Sequence, residues 1–471
     1  MTTDNLRLNK NKNILLTISN GFSSRYLIRS GFINSLASKN YGKVYVATPE
    51  QINYKIDSKH NKEKIVLIDH PKLVTLYGIK GFLLKIINQI QIYGMPNDPK
   101  YSALWIKRAI LKSDDKISLY QRYFVLSMSY IHSKILVVRK LFKYIIKTFQ
   151  IDENFTRTLK NLNINYIILD GLSSFIPINV YWISSAKKLK IETTTIITNW
   201  DHATTRGYQT IESDDYYVWG KSMKKEMMVY QDIPPNKIRE VGSVIFDLYS
   251  KNFLKINETQ NEKLFKQSHS DYILFLTNSP YYPYNLEIAK LIHELIPNKK
   301  TLIVRLHPLY ANKKQCSQFE DYAEKHKNIK IIQPKPECKW PGDMATNEIL
   351  LSSSLVANSE FIISTMSTMI LDAIILNKKV LNISFDWTKK ELIPLQMSLL
   401  QDRIHVKRVT VEKNILHARS KSELKQMILN NLDLEDYNYE YKARLKYPLV
   451  LQECGKIDGL VIKRITDYLL Q

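Results

Sequence analysis

The chain has 471 residues, 44% of them hydrophobic and 24% charged, enough to bury a large core and long enough to imply two or three domains. With 68 Lys and Arg against 45 Asp and Glu, the net charge of +23 favours an anionic partner (nucleic acid, anionic lipid or a phosphorylated small molecule) without choosing among them, and the richness in Lys, Asn and Ile also fits an AT-rich genome. Three scattered cysteines, Cys316, Cys338 and Cys454, exclude a disulfide framework or a zinc site.

The N-terminus, MTTDNLRLNKNKN, is polar and the run after it is too short for a signal peptide. No later window approaches the roughly 18 unbroken apolar residues of a membrane span, so a soluble, cytoplasmic protein is expected. Apolar runs then alternate with helical patterns in two blocks. The first block holds NILLTIS, KVYVATP, KIVLIDH, NYIILDG, IETTTIITNW, DDYYVWG and KIREVGS; the second holds DYILFLTNS, KTLIVRLHP, IKIIQP, EFIIST and KVLNIS. Strands alternating with helices predict parallel sheets covered on both faces, in two copies. The expected class is α/β, two doubly wound Rossmann-like domains facing a central cleft lined by loops at the carboxyl ends of the strands.

The expected boundaries are 1–248 for the first domain, 249–270 for a polar linker, 271–432 for the second domain and 433–471 for a C-terminal helical segment. Residues of about 79–160 form a helical insertion, longer than a simple crossover. Within it SKILVVRKLFKYIIKTF, residues 133–149, has five basic residues and no acid. Positions 136, 140, 143 and 147 share a mostly lysine face, while Ile135, Val138, Leu141, Phe142, Ile145 and Phe149 form the apolar side. That pattern suits an interfacial helix on anionic lipid, or a core helix with a solvated basic face.

Four loops carry residues capable of chemistry. After the first strand comes SNGFSSRYLIRSG, with Ser24 and Arg25 beside the turn into a helix; it lacks a full G-x-G-x-x-G, so a dinucleotide site is poorly supported. NWDHATTRG, residues 199–207, brings together Asp201, His202 and Arg206: a general base and an anion contact, or an N-cap in the case of Asp201. Asp170, in LDGLSS, is a rival base. In the second block TLIVRLHPLY ends a strand with Arg305 and His307. Two strands later Ser364, Thr365, Ser367 and Thr368 stand at a strand-to-helix junction, where hydroxyls either bind an anion or, most simply through Ser367, cap the helix. Together these last two loops describe a site for a nucleotide mono- or diphosphate. The SDD at 213–215 is a carboxylate pair without the D-x-D setting that clamps a metal, and it suits the capping of a strand edge. No metal and no cofactor are expected.

RLHP, then STMSTMILDAIILNKKVL, then DGLVIKRI from Asp458 to Ile465, resembles the C-terminal half of GT-B glycosyltransferases, in particular the branch with bacterial CDP-glycerol glycerophosphotransferases and capsule-polysaccharide transferases. NWDHATTRGYQ, YYVWGKSMKKE and VGSVIFD in the first half are similar to surface-carbohydrate enzymes. The resemblance implies that Arg305 and His307 approach donor phosphate or ribose, that Ser364, Thr365, Ser367 and Thr368 bind its phosphates, and that Asp372 sits near the donor. The additional histidine motifs of the polymer-forming glycerophosphotransferases are missing, which counts against a glycerol-phosphate donor; the expected donor is a sugar activated by UDP, GDP, CDP or CMP. The expected activity is metal-independent transfer of a sugar or polyol phosphate to a surface-glycan or lipid-linked acceptor, with Asp201 ahead of Asp170 as base and His202 beside it. Ser24, Arg25 and Arg206 are expected to contact acceptor or phosphate. The expected location is cytoplasmic or peripheral on the inner face of the plasma membrane. A nucleotide-sugar epimerase of the same architecture is the alternative. A nucleic-acid-binding protein is a remote third reading, since no base-reading motif accompanies the charge.

Overall fold

The computed structural model describes residues 12–39, 42–49, 63–73, 78–97, 119–250, 272–310, 314–336, 340, 342–365, 367–388, 397–432 and 444–470. The chain divides into two compact units. The first comprises Met1–Ser19, Tyr26–Ser243 and Leu460–Gln471, and the second comprises Asn20–Arg25 and Val244–Gly459. The expected linker, 249–270, lies outside the described residues from 251 onward.

In the first unit the apolar runs form β1 (Asn13–Thr17), β2 (Val44–Thr48), β3 (Ile65–Asp69), β4 (Ile164–Leu169), β5 (Glu192–Ile196), β6 (Asp215–Val218) and β7 (Ile238–Glu240). They make one sheet in the order β3-β2-β1-β4-β5-β6-β7, parallel throughout. β1, β2 and β4 read as near-continuous apolar runs because helices cover both faces; all five residues of β2 are buried. Trp182, Ile183 and Ala186, from helix Ile178–Leu189, pack in the same core as Leu15, Ile167 and Leu169 of the sheet. The SDD carboxylates fasten this sheet: Asp214 Oδ2 accepts from both the backbone N–H and the hydroxyl of Thr193, at 2.9 and 2.8 Å. Helix Val461–Leu470 also belongs here. It packs on helix Phe32–Ser38 and buries Val461, Ile465 and Leu469 completely.

The second unit repeats the plan with β8 (Tyr272–Leu276), β9 (Thr301–Arg305), β10 (Ile329–Ile332), β11 (Ile362–Ser364), β12 (Val380–Ile383) and β13 (Ile415–Ala418). The order β10-β9-β8-β11-β12-β13 is again parallel throughout. Each unit is therefore a doubly wound, Rossmann-like α/β fold, and in each the strand order reverses once, at β1/β4 and at β8/β11. A crevice opens outside the carboxyl ends of the strands at such a reversal because successive helices depart to opposite faces.

The helical region at 79–160 contains Gly78–Tyr93, Leu119–Lys134, Leu136–Phe149 and Glu153–Asn161. Asp152 caps the last of these by accepting from the N–H groups of Asn154 and Phe155. Leu136–Phe149 departs from its expected orientation. Arg139 and Lys143 turn inward, where Arg139 bonds Asp232 and Lys143 bonds Glu212, each at 2.6 Å. Leu141 and Phe149, expected on the buried side, are exposed. Ile146 is buried and Val138, Phe142 and Ile145 are half-buried beside the two ion pairs, so the helix is only partly turned as expected and its outer face mixes lysine with hydrocarbon. Among the described residues no helix is long and apolar enough to cross a membrane.

Candidate functional site

The second unit gathers a charged group around the end of β9 and the helix after β11. The backbone N–H of His307 is held by the hydroxyl of Thr277, the residue after β8, at 2.9 Å. The ring's Nδ1 accepts from the N–H of Leu309 at 3.1 Å. A neutral imidazole whose Nδ1 is an acceptor carries its proton on Nε2, so the ring presents a donor. Burial lowers its pKa to about 4, assisted by the positive charge of Arg25, so the ring is neutral at physiological pH.

Arg25 is the cation of this group. Burial lowers its pKa to about 10, opposed by the carboxylate of Asp372. Its guanidinium carbon lies 5.6 Å from the ring centroid of Phe22, and its Nε has no hydrogen-bond partner among the described residues. A half-buried guanidinium whose enclosed Nε lacks a partner among the described residues suits an anion. Asp372, in helix Met369–Ile375, accepts a 2.6 Å hydrogen bond from the phenol of Tyr249. Burial raises its carboxyl pKa to about 6, while the Tyr249 bond and Arg25 pull the other way. At neutral pH the group thus holds a fixed cation, a neutral donor and a carboxylate whose pKa is raised toward the neutral range.

The hydroxyl junction lies at the reversal of this sheet, where Ser364 pairs in register with Leu276. Ser364 and Thr365 are buried, and the Ser364 hydroxyl donates to the Thr365 carbonyl at 2.7 Å. Ser367 is not the cap. The residue before the helix is Thr368, in helical conformation and without a side-chain cap bond, and Ser367 contributes its carbonyl to the N–H of Ile370. Ser367 and Thr368 are half-buried.

Other expected contacts are committed to the fold. Arg305, although it precedes His307 by two residues, is buried and ion-paired to Glu348 at 2.9 Å, with a second bond to the Gln333 carbonyl. The Ser24 hydroxyl donates to Asp343 at 2.5 Å, and Asp343 is fully buried. Next to Asp343, Gly342 has φ +90°, and a Cβ there would meet the Phe22 ring at 3.1 Å, so this approach is built for glycine. Of the late DG, both N–H groups are taken by Asp247 Oδ1, at 3.2 Å for Asp458 and 2.8 Å for Gly459.

The remaining candidates belong to the first unit. Asp170 is fully buried at the end of β4, and its carboxylate accepts from the Thr17 hydroxyl at 2.8 Å, the Ser19 N–H at 2.6 Å and the Asn179 amide at 3.3 Å. It ties together the carboxyl ends of β1 and β4, with its lone pairs occupied. Asp201 is more accessible: its Oδ2 accepts from the Thr205 hydroxyl at 2.6 Å and faces Arg206 at 3.6 Å. Arg206 also lies over the Phe175 ring, 4.6 Å from its centroid. His202 packs on the same ring at 4.4 Å, and burial lowers its pKa to about 4. A neutral ring that far below its ordinary range is a weak base.

Tyr249, Thr277, Asp343 and Asp247 emerge only from the structure. Of these, Asp247 and Tyr249 stand at and just after VGSVIFD, where an aspartate in an apolar segment is the signal available in the sequence.

No protein-family model and no curated protein matches the chain. Solved structures are similar in arrangement at low identity. The UDP-GlcNAc 2-epimerase from Methanocaldococcus jannaschii, in complex with UDP-GlcNAc and UDP, matches with 14% identity and a TM-score of 0.49 over 97% of this chain and 99% of that one. A glycosyltransferase from Rickettsia africae gives 11%, 0.43, 98% and 96%, and the wall teichoic acid polymerase TagF gives 10%, 0.46, 99% and 90%, in the same order. By their own descriptions these are a UDP-GlcNAc 2-epimerase, a glycosyltransferase and a wall teichoic acid polymerase. The Rossmann-like fold of each unit follows from its strand order, and similarity at this level does not distinguish among the three activities.

Proposed function

We propose that the chain is a glycosyltransferase that moves a sugar or polyol phosphate from a nucleotide-activated donor to a surface-glycan or lipid-linked acceptor, without a metal. The observation that carries the reading is the grouping of Arg25, His307 and Asp372 within the second unit, at the end of β9 and in the helix after β11. Arg25 meets the donor phosphates as a fixed cation, and the Nε2–H of His307 donates to the oxygen on which charge builds as the nucleotide leaves. Groups already oriented in a partly dry site stabilise that charge more than water does, because they need no reorganisation when it forms. Ser367 and Thr368 add hydroxyl donors, and Asp372 and Tyr249 contact the ribose or the departing phosphate.

In the same reading Asp201 takes the proton of the acceptor hydroxyl, with Arg206 and Thr205 fixing its orientation, while Asp170 holds the loop after β1. His202 packs behind Asp201 and keeps water from it. Arg305 supports the strand that carries His307.

Thermal-shift titration with UDP, GDP, CDP and CMP tests the donor half of the proposal, since a ligand that binds only the native state raises its melting temperature by mass action. One nucleotide is expected to stabilise the parent and to lose that effect in Arg25→Ala. Incubation with the corresponding activated sugar alone then tests the reaction type: an epimerase changes the sugar without acceptor, a transferase does not.

A further inference from the structure

We propose that the outer faces of three packed helices in the first unit, Gly78–Tyr93, Leu119–Lys134 and Leu136–Phe149, form a docking surface for an anionic lipid bilayer. The inference does not depend on the proposed reaction. It starts from the outer face of Leu136–Phe149. The polar anchors point inward, with Arg139 on Asp232 and Lys143 on Glu212, and Lys143 also lies 4.4 Å from the ring centroid of Tyr208. Ile146 faces the core, yet hydrocarbon also points outward: Val137 is 73% exposed, Leu141 52% and Tyr144 64%. A helix stabilised only by its own unit and by water keeps its outer face polar.

The neighbouring helices follow the same rule. Leu119–Lys134 exposes Tyr120 and Tyr123 at 88% and 68%, and Gly78–Tyr93 exposes Ile79 at 80%. The three helices pack against one another. Most of the large hydrophobic side chains exposed among the described residues lie between 79 and 149. Such a concentration marks an interaction surface.

Charge and residue type choose the occupant. None of the three helices contains an Asp or Glu, while Lys80, Lys85, Lys134, Lys140 and Lys147 are exposed along them. A protein partner with a complementary apolar patch would not require the absence of every acid. A bilayer of anionic lipid repels acids, attracts lysines and admits tyrosine rings at the headgroup level, where one end of the ring is apolar and the other is wet.

Sedimentation with vesicles tests the proposal on the full chain. The parent is expected to pellet with phosphatidylcholine vesicles containing phosphatidylglycerol, to bind pure phosphatidylcholine far less, and to be released as salt rises from about 0.05 to 0.5 M. With about 1 kcal/mol per basic side chain, Lys140→Gln with Lys147→Gln should weaken retention roughly tenfold or more. Leu141→Ser with Tyr144→Ser should weaken it while leaving the salt dependence of the remainder. Lys299→Gln with Lys325→Gln, the same charge change at exposed lysines of the second unit, should leave retention nearly unchanged and so separates this surface from the overall charge. All substituted side chains are exposed, and an unchanged melting temperature verifies the fold. Equal retention of the parent and both helix variants overturns the proposal. So does a parent that binds no vesicle, including one that instead self-associates through Leu141 and Tyr144, which would make a second copy of the chain the occupant.

Discussion

The phenol of Tyr249 donates a 2.6 Å hydrogen bond to the carboxyl of Asp372, and both side chains are buried. The two residues lie far apart in sequence, and the bond fixes a titratable group beside the Arg25 guanidinium. Tyr249→Phe should cost about 1–3 kcal/mol in chemical denaturation, because it removes the donor and leaves a buried acceptor short of one bond. A loss of only a few tenths would mean that the carboxyl finds water or another donor at no expense.

Asp372 also sets a pH dependence whose sign is fixed by its raised pKa. Between the ordinary carboxyl value of 3.8 and about 6 the folded chain keeps a proton that the unfolded chain has released, so this group's contribution to stability falls as pH rises through that window. Asp372→Asn does not titrate there. Its melting temperature relative to the parent should therefore improve from pH 4.5 to pH 7.5, by an amount equivalent to roughly 1–3 kcal/mol. His307 acts in the opposite sense, since its lowered pKa makes the parent lose stability as pH falls from 6.5 toward 4. Comparison with His307→Gln separates the two.

The two arginines near β9 should divide cleanly. Arg25→Ala is expected to weaken nucleotide binding by about 2–3 kcal/mol, a charge-assisted contact, with a small effect on folding. Arg305→Met should leave the half-buried Glu348 without its cation and destabilise the fold by about 2–4 kcal/mol, while the nucleotide affinity of the folded fraction stays close to that of the parent. Isothermal titration and denaturation of both variants decide the matter; a reversed pattern would exchange their roles.

Ser367→Ala combined with Thr368→Ala should weaken the same nucleotide by roughly 1–3 kcal/mol if these hydroxyls bind phosphate. Since no side-chain cap exists at Thr368, helix stability should hardly change. Unaltered affinity in this folded double variant removes the junction from the site.

Asp201→Asn should reduce turnover by about two to four orders of magnitude with nucleotide affinity preserved, which is the signature of a lost base. Asp170→Asn should instead lower the melting temperature, because three donors around it are arranged for a carboxylate.

The architecture was legible because parallel strands covered on both faces are written as unbroken apolar runs, and the carboxyl ends of such strands locate the loops that carry chemistry. β13 escaped notice: Ile415–Ala418 is a four-residue edge strand with a histidine inside and only its two ends buried. Members of the charged grouping in the second unit were legible where chemistry and local pattern coincide, as at His307 and Asp372. They were illegible where a distant partner decides the role. Nothing near Arg305 announces Glu348, and nothing near Asp170 announces Thr17 or Asn179. The orientation of Leu136–Phe149 failed for the same reason, since Asp232 and Glu212 stand many residues downstream and periodicity alone cannot say which face they will claim.

Chain order in the two units constrains how the protein is made. Apart from residues 20–25, the second unit occupies one continuous stretch, Val244–Gly459, whereas the first is completed only by Leu460–Gln471. Until those last residues leave the ribosome, the surface that receives Val461, Ile465 and Leu469 stays open to water. Synthesis therefore runs against the usual N-terminal-first sequence: the later unit acquires its full set of strands while the earlier one still waits for its closing helix. A nascent chain stalled near residue 440 leaves the side chains that pack on Val461, Ile465 and Leu469 exposed for chaperones to find.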